Sequence, residues 1–286
     1  MKIQPISLSH REQVESLRAK YHHSSASHSF TTLYINRLDL GCNLYFGEDF
    51  FTVQSEWDGE NSWFFPCGNR DNALPFVTQV LEKGGRLLYM TQEDTDYLTQ
   101  KLGTHFCATP SQGDSEYLYD RNEQECLAGH KFMRIRNDIS RGKKEGSFTA
   151  TPLTLDNLHL ARTIHDGWLE DREEGYLFPN AGHELLDHFE ELDLIGMLGY
   201  LNDIPSMVVV GYPLSDTVFD LSMSNQSVRI SGISPWTRQQ FISSLPKNYT
   251  MLNAEEDLDI PGLRLMKQNM RPIDLLQMYI GTGETP

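Results

Sequence analysis

The order of apolar and polar residues divides the chain into short elements. Residues 1–7 alternate as a short strand does. Ser9 and Glu12 then have the spacing of a capping box, and Val14, Leu17 and Tyr21 recur at helical intervals. After the polar run HHSSASHS, residues 30–36 read as a second helix. Runs 42–46, 50–54 and 62–65 read as strands, and Asp58-Gly59 marks a hairpin turn between the last two. Residues 73–83 form a helical pattern closed by Gly84-Gly85, and 86–90 a strand. Thr91 caps a helix to Leu102, which Gly103 stops; 105–108 and 116–120 are further strands.

The same rhythm returns. Residues 148–151 are strand-like, and Leu155, Leu158, Ala161, His165 and Trp168 share a helical face. A helix over 183–192 follows, then strands over 194–201, 205–212 and 218–223, and a helix over 235–245. A strand over 249–253, a helix over 262–270 and a strand over 272–279 complete it. The first half thus reads β-α-α-β-β-β-α-β-α-β-β and the second β-α-α-β-β-β-α-β-α-β, which predicts one structural unit written twice, over residues 1–146 and 147–286.

Between the halves lies EYLYDRNEQECLAGHKFMRIRNDISR, residues 116–141. Tyr117 and Tyr119 alternate as in a strand, and Gly129 separates two helical pieces. In the second piece Phe132, Ile135 and Ile139 fall on one face, beside a stripe of Lys131, Arg134, Asp138 and Arg141. Such a helix buries one side and shows positive charge on the other. It is either a solvated connecting helix or a docking surface for phosphate.

Charge makes this island stand out. The 286 residues carry 24 Lys and Arg against 40 Asp and Glu, a net of −16. Residues 1–147 hold 16 against 20, and 148–286 hold 8 against 20. Over most of the surface that balance disfavours DNA and anionic membrane, so an anionic partner needs a local basic site. No apolar run approaches the roughly 20 residues that span a bilayer, and the N-terminus lacks an apolar leader. A cytoplasmic protein is expected. Cys42, Cys67, Cys107 and Cys126 form no C-x-x-C pair, so they are read as reduced, mostly buried thiols rather than a zinc site or disulfides. His22, His23 and His28 read as solvated loop histidines, and the run from Glu170 to Glu174 as a solvated helix end. No metal is expected.

Two runs carry a resemblance. Tyr117-Leu118-Tyr119, Leu127 to Phe132 and Arg136 to Ile139 form the first; Leu252 to Pro272, LNAEEDLDIPGLRLMKQNMRP, is the second. Both resemble a bacterial family related to the C-terminal domain of phosphatidylglycerol lysyltransferases. The resemblance implies an α+β fold of two tandem GNAT-like acyltransferase domains. It further implies an acyl- or aminoacyl-transferase, with acyl-CoA or aminoacyl-tRNA as donor and an amine or hydroxyl as acceptor. No membrane-embedded segment like that of the lysyltransferases occurs in these residues, so transfer to a lipid is not expected.

In GNAT-type enzymes the loop before the central helix wraps the cofactor pyrophosphate. Here Arg229-Ile230-Ser231-Gly232-Ile233-Ser234 stands in that place, with Pro235 in the first helical turn. Arg229, Gly232 and Ser234 are the candidate donor-binding residues. The first half keeps Gly68 and Arg70 without the spacing, and is expected to be degenerate. Asp257, Arg264 and Lys267 are candidates for holding the acceptor or aminoacyl group, although an N-cap with surface charges explains them equally. Lys131, Arg134 and Arg141 would steer an anionic donor, including a tRNA. The run Leu221 to Ser224 lacks the charged residues the resemblance leads one to expect, and no catalytic base is singled out. The alternative function is a non-catalytic binding module on a decayed tandem fold.

Overall fold

The computed structural model describes residues 2–56, 61–171 and 178–283, and they form two compact units. The first comprises residues 1–116, 256–263 and 275–286; the second comprises 117–255 and 264–274. The units therefore do not follow the division 1–146 and 147–286. The physical reason is strand pairing. The C-terminal strand pairs with residues 86–90 of the first unit, whereas residues 118–120 pair with 251–253 of the second.

In chain order the first unit holds β1 (Ile3–Pro5), α1 (Arg11–Lys20), α2 (Phe30–Asn36), β2 (Asn43–Gly47), β3 (Phe50–Ser55) and β4 (Ser62–Phe64). It continues with β5 (Cys67–Gly68), α3 (Arg70–Glu82), β6 (Arg86–Met90), α4 (Gln92–Leu102) and β7 (Phe106–Asp120), the last as far as Glu116. The second unit holds the rest of β7, α5 (Arg121–Cys126), α6 (Met133–Glu145), β8 (Phe148–Pro152), α7 (Leu158–Glu170) and α8 (Ala181–Asp187). After these come β9 (Ile195–Leu201), β10 (Ile204–Pro213), β11 (Val218–Gln226), α9 (Ile233–Ser244), β12 (Met251–Asn253) and α10 (Pro261–Asn269). β13 (Asp274–Gly283) returns to the first unit from Leu275.

Strand order in the first unit is β1-β2-β3-β4-β6-β13-β7, and in the second β8-β9-β10-β11-β12-β7. Pairing is parallel between β4 and β6 in the first unit and between β11 and β12 in the second, and antiparallel between β1 and β2, β2 and β3, β3 and β4, β6 and β13, β8 and β9, β9 and β10, β10 and β11, and β7 and β12. The duplicated order of elements is thus present, with the sheet of each unit mostly antiparallel and flanked by helices.

Apolar side chains at helical and strand spacing fill the two cores. In the first unit Phe50, Trp63, Phe76, Val77, Leu87, Met90 and Leu98 pack together. In the second, Leu127, Phe132, Ile135 and Ile139 form a cluster against which Trp236 of α9 packs, so the apolar face predicted for α6 is its buried face.

Three expectations are corrected. The polar run HHSSASHS is solvated only at its start: His22 and Ser24 are exposed, but Ser25, Ser27 and Ser29 are buried and His28 is fully so. The Glu116 carboxylate organises it, accepting from Ser25 Oγ at 2.6 Å and from the N–H groups of Ala26 and Ser27 at 3.0 and 3.1 Å. His28 Nε2 bonds the Phe65 carbonyl at 2.8 Å, and burial pulls this imidazole down to about 4. The cysteines are free but evenly split, Cys42 and Cys67 buried, Cys107 and Cys126 exposed. Lys267 is not a surface charge but 6% exposed. Asp58-Gly59 and residues 172–174 of the acidic run lie outside the described residues. Among those described, no helix is long and apolar enough to cross a membrane.

Candidate active site

In the second unit β11 and β12 stay paired for only three residues, Val218 to Asp220 opposite Met251 to Asn253. β11 continues to Gln226 but bends first. Between the pairs Val210–Met223 and Tyr212–Asp220 it takes three steps against two of β10, a bulge over Leu221 and Ser222. The chain leaving β12 follows β7 instead. Ala254 N–H donates to the Tyr117 carbonyl at 3.0 Å and Tyr117 N–H to the Glu255 carbonyl at 3.1 Å. The two strands therefore part as a fork.

Polar groups stand at this fork. Ser222 Oγ donates to Glu255 Oε1 at 3.3 Å. Glu255 has φ 56, a left-handed conformation that costs a side-chain-bearing residue energy. Its N–H is held by Asn253 Oδ1 at 2.7 Å. Lys267 on α10 donates from Nζ to the Ala254 carbonyl and lies 5.7 Å from the centre of the Tyr117 ring. Tyr119 Oη donates to the Lys267 carbonyl at 3.0 Å, tying α10 to β7. Beyond the bulge, Asn225 bonds His165 Nδ1 of α7 at 2.8 Å.

The loop leaving β11 reaches α9 through Gly232, whose φ of 91 only glycine adopts without strain. Gly232 caps the helix with no side-chain hydrogen bond to the N–H groups of the first turn, Ile233 and Ser234 among them. These amides and the helix dipole make a setting for an anion. One side of the loop is closed. A Cβ on Gly232 would lie 2.3 Å from the Asp138 carbonyl of α6, and one on Gly142 would lie 2.0 Å from the Ser231 carbonyl. Backbone meets backbone there, and both glycines are what allow it.

α6 brings cations to the same place. Arg141 Nη2 donates to Ser231 Oγ at 2.7 Å and to Asp138 Oδ1 at 2.8 Å, and its side chain is 62% exposed. Arg229 is 86% exposed, with Asp171 at 3.4 Å. Lys143 Nζ stands 5.3 Å from the Trp236 ring centre. Lys131 is paired with Glu123 at 2.6 Å, and Arg134 is exposed.

The sequence candidates thus fall in several places. Arg229, Gly232, Ser234 and Arg141 gather at the head of α9. Lys267 is packed behind the fork, and Arg264 is half-buried on the same helix. Asp257 belongs to the first unit, fully buried, where Oδ1 accepts the Asp259 N–H at 2.9 Å and the carbonyl accepts Ile260 N–H. This is the turn-capping arrangement. Sequence reasoning missed Ser222 and Glu255. Glu255 lies inside the second resembling run, but nothing in its spacing separates it from Glu256.

Comparison with known proteins bears on the family and the fold. The family model described as phosphatidylglycerol lysyltransferase, C-terminal, matches residues 18–281. A conserved protein from Bacteroides thetaiotaomicron VPI-5482 is similar in structure at TM-score 0.89 and 23% identity, over 99% of this chain and 100% of that one. L-PGS from Bacillus licheniformis gives 0.67 and 14%, over 98% and 92%. A tandem GNAT protein from the clavulanic acid biosynthesis pathway gives 0.51 and 7%, over 100% and 99%. The fold is of the tandem GNAT-like kind. No curated protein matches the sequence.

Proposed function

The chain belongs to the family of the phosphatidylglycerol lysyltransferase C-terminal domain, and from that premise we propose that it is a cytoplasmic acyl- or aminoacyl-transferase whose second unit does the chemistry. One observation supports the proposal: in the second unit β11 and β12 part at a fork that carries Ser222 and Glu255, and α9 starts at Gly232 with no side-chain cap and with Arg141 at its head.

In this reading the donor is an acyl-CoA or an aminoacyl-tRNA. Arg229, Arg141 and the N–H groups of Ile233 and Ser234 hold its phosphate, while Lys131 and Arg134 steer it from farther along the basic stripe. The reacting carbonyl lies along the fork, where backbone N–H groups stabilise the oxyanion. Arg264 serves the acceptor or aminoacyl group from α10, and Lys267, sought as its companion, serves from behind by holding the fork's backbone at Ala254. Asp257 serves by shaping the turn after β12. The acceptor supplies an amine or hydroxyl. The protein contributes mainly by holding two reactants in line.

The rival reading is a binding module on a decayed fold. It draws on the packing of α6 against Gly232, which narrows the approach to the loop. Thermal shift separates the two. Acyl-CoAs, amino acids and aminoacyl-tRNA are titrated against the chain. Saturation at a hundredfold excess over Kd adds about 2.7 kcal/mol of stability. A response that disappears in Arg229→Ala supports the transferase. No response to any donor favours the module.

A further inference from the structure

The fork holds one carboxylate in a costly conformation, and the surrounding bonds keep it there. Glu255 is left-handed at φ 56. Its N–H is pinned by the Asn253 side chain and its carbonyl by the Tyr117 N–H. Glycine at this position would satisfy the same backbone bonds without strain. The side chain therefore earns its place by what it does rather than by how it folds. It spans the mouth of the fork to Ser222, and Ser222 sits on the bulge that parts the strands. Strained, over-determined residues of this kind cluster where a group must be aimed.

We propose that Glu255 takes the proton from the acceptor's attacking amine or hydroxyl, with Ser222 as the residue that positions it. This rests on the transferase reading above. The acceptor's lone pair forms a bond to the donor's carbonyl carbon, and the carbonyl π electrons move to oxygen. The nitrogen or oxygen proton passes to the Glu255 carboxylate. When the oxyanion collapses, the bond from that carbon to the tRNA ribose oxygen, or to the CoA sulfur, breaks. The leaving group takes the proton back from Glu255, which returns to its ionised form. The products are one amide or ester and one free hydroxyl or thiol.

The test measures donor consumption by the whole chain, with acetyl-CoA and bulk aminoacyl-tRNA as donors and glucosamine and L-lysine amide as acceptors. Glu255→Gln is expected to lower kcat by about 10²–10⁴-fold with little change in KM. It should also abolish the acid limb of the pH–rate profile, and Glu255→Asp should restore part of the rate. Glu255→Gly should raise Tm while removing turnover, an outcome no structural role produces. If the unaltered chain consumes neither donor, the transferase reading fails and this proposal with it. If it turns over and Glu255→Gln keeps both rate and acid limb, the proposal alone fails. A Glu255→Gly variant of lower Tm, with the acid limb unmoved in Glu255→Gln, identifies a purely structural residue and overturns it as well.

Discussion

The two units share a strand order and a parallel step, yet they finish that step differently. In the first, β4 and β6 part after Phe64 and Leu88. Aromatic rings stand there: Phe64 and Tyr89 lie 4.5 Å apart, centre to centre, with His28 at 5.8 and 6.5 Å from them. Tyr89 is left-handed at φ 54, much as Glu255 is at the other fork. Burial, and then the charges of Glu256 and Asp114, push its phenol well above the ordinary range. In the second unit the fork carries Ser222 and Glu255 instead. The helix heads differ in the same sense. Asn69 caps α3, its Oδ1 accepting from the N–H groups of Asp71 and Asn72. Arg70 is committed to Asp94 and Glu93. The cleft beside them, about 390 Å³, is lined by Asp71, Glu93 and Asp94 against that one arginine. An anion has no welcome there. At α9 the cap offers no side-chain acceptor, and Arg141 and Arg229 stand there with Asp138 and Asp171 as their partners. What this teaches is that two units can share a strand order while a few side chains give each fork and each helix head its own chemistry.

The comparison breaks most sharply at Gly232. Gly232→Ala adds both a left-handed residue and a collision with the Asp138 carbonyl, and should destabilise the protein by about 3 kcal/mol. Gly84→Ala in the first unit is the control. Its φ is 71 and a Cβ meets nothing within 4 Å, so only the backbone cost of about 1 kcal/mol is expected. Urea unfolding of both variants measures the difference. If the two lose equally, α6 does not press on the α9 loop.

Next in size is acid sensitivity. His28 in the first unit and His165 in the second are both held down to about 4, chiefly by burial. Between pH 6.5 and 4 the unfolded chain binds more protons at these sites than the folded one. Stability is therefore complete above about pH 6.5 and falls as pH drops toward 4, by up to about 3 kcal/mol for His28. His28→Gln should flatten the curve of Tm against pH in that window, and an unchanged slope would contradict the burial argument. Smaller still is Asn69→Ala, which should cost about 1 kcal/mol by thermal unfolding. It should create no affinity for pyrophosphate, because Asp71, Glu93 and Asp94 outnumber Arg70 in the cleft there.

Much of this was legible in the chain before the coordinates. The helices and strands follow their periodicity, the buried face of α6 was marked by Phe132, Ile135 and Ile139, and the two resembling runs pointed to the family. What was hidden depends on partners far along the chain. HHSSASHS looks like a solvated loop because nothing nearby satisfies it; Glu116 does. Lys267 looks exposed because helical spacing does not reveal that Ala254 waits for its ammonium. The fork is a fact of register, and a bulge at Leu221 and Ser222 leaves no mark in composition. The division into units was misplaced because β7 and β13 find their partners outside the half that encodes them.

The smallest effect on stability belongs to Arg141→Ala, and it sharpens the comparison most. Arg141 is largely exposed, and its pair with Asp138 contributes little to folding in water. The unliganded protein should melt nearly where the parent does. Its bond to Ser231 nevertheless fixes a guanidinium at the head of α9, beside a cap that has no side-chain acceptor. Inorganic pyrophosphate should therefore stabilise the parent at low salt and lose that effect in Arg141→Ala, and the parent's response should fade as ionic strength rises. Replacing Arg70 with alanine should leave the response intact, since that guanidinium is held by two carboxylates, Asp94 and Glu93, whereas Arg141 has one, Asp138. A response that survives Arg141→Ala but not Arg70→Ala would assign phosphate to the first unit and reverse the roles argued for the two.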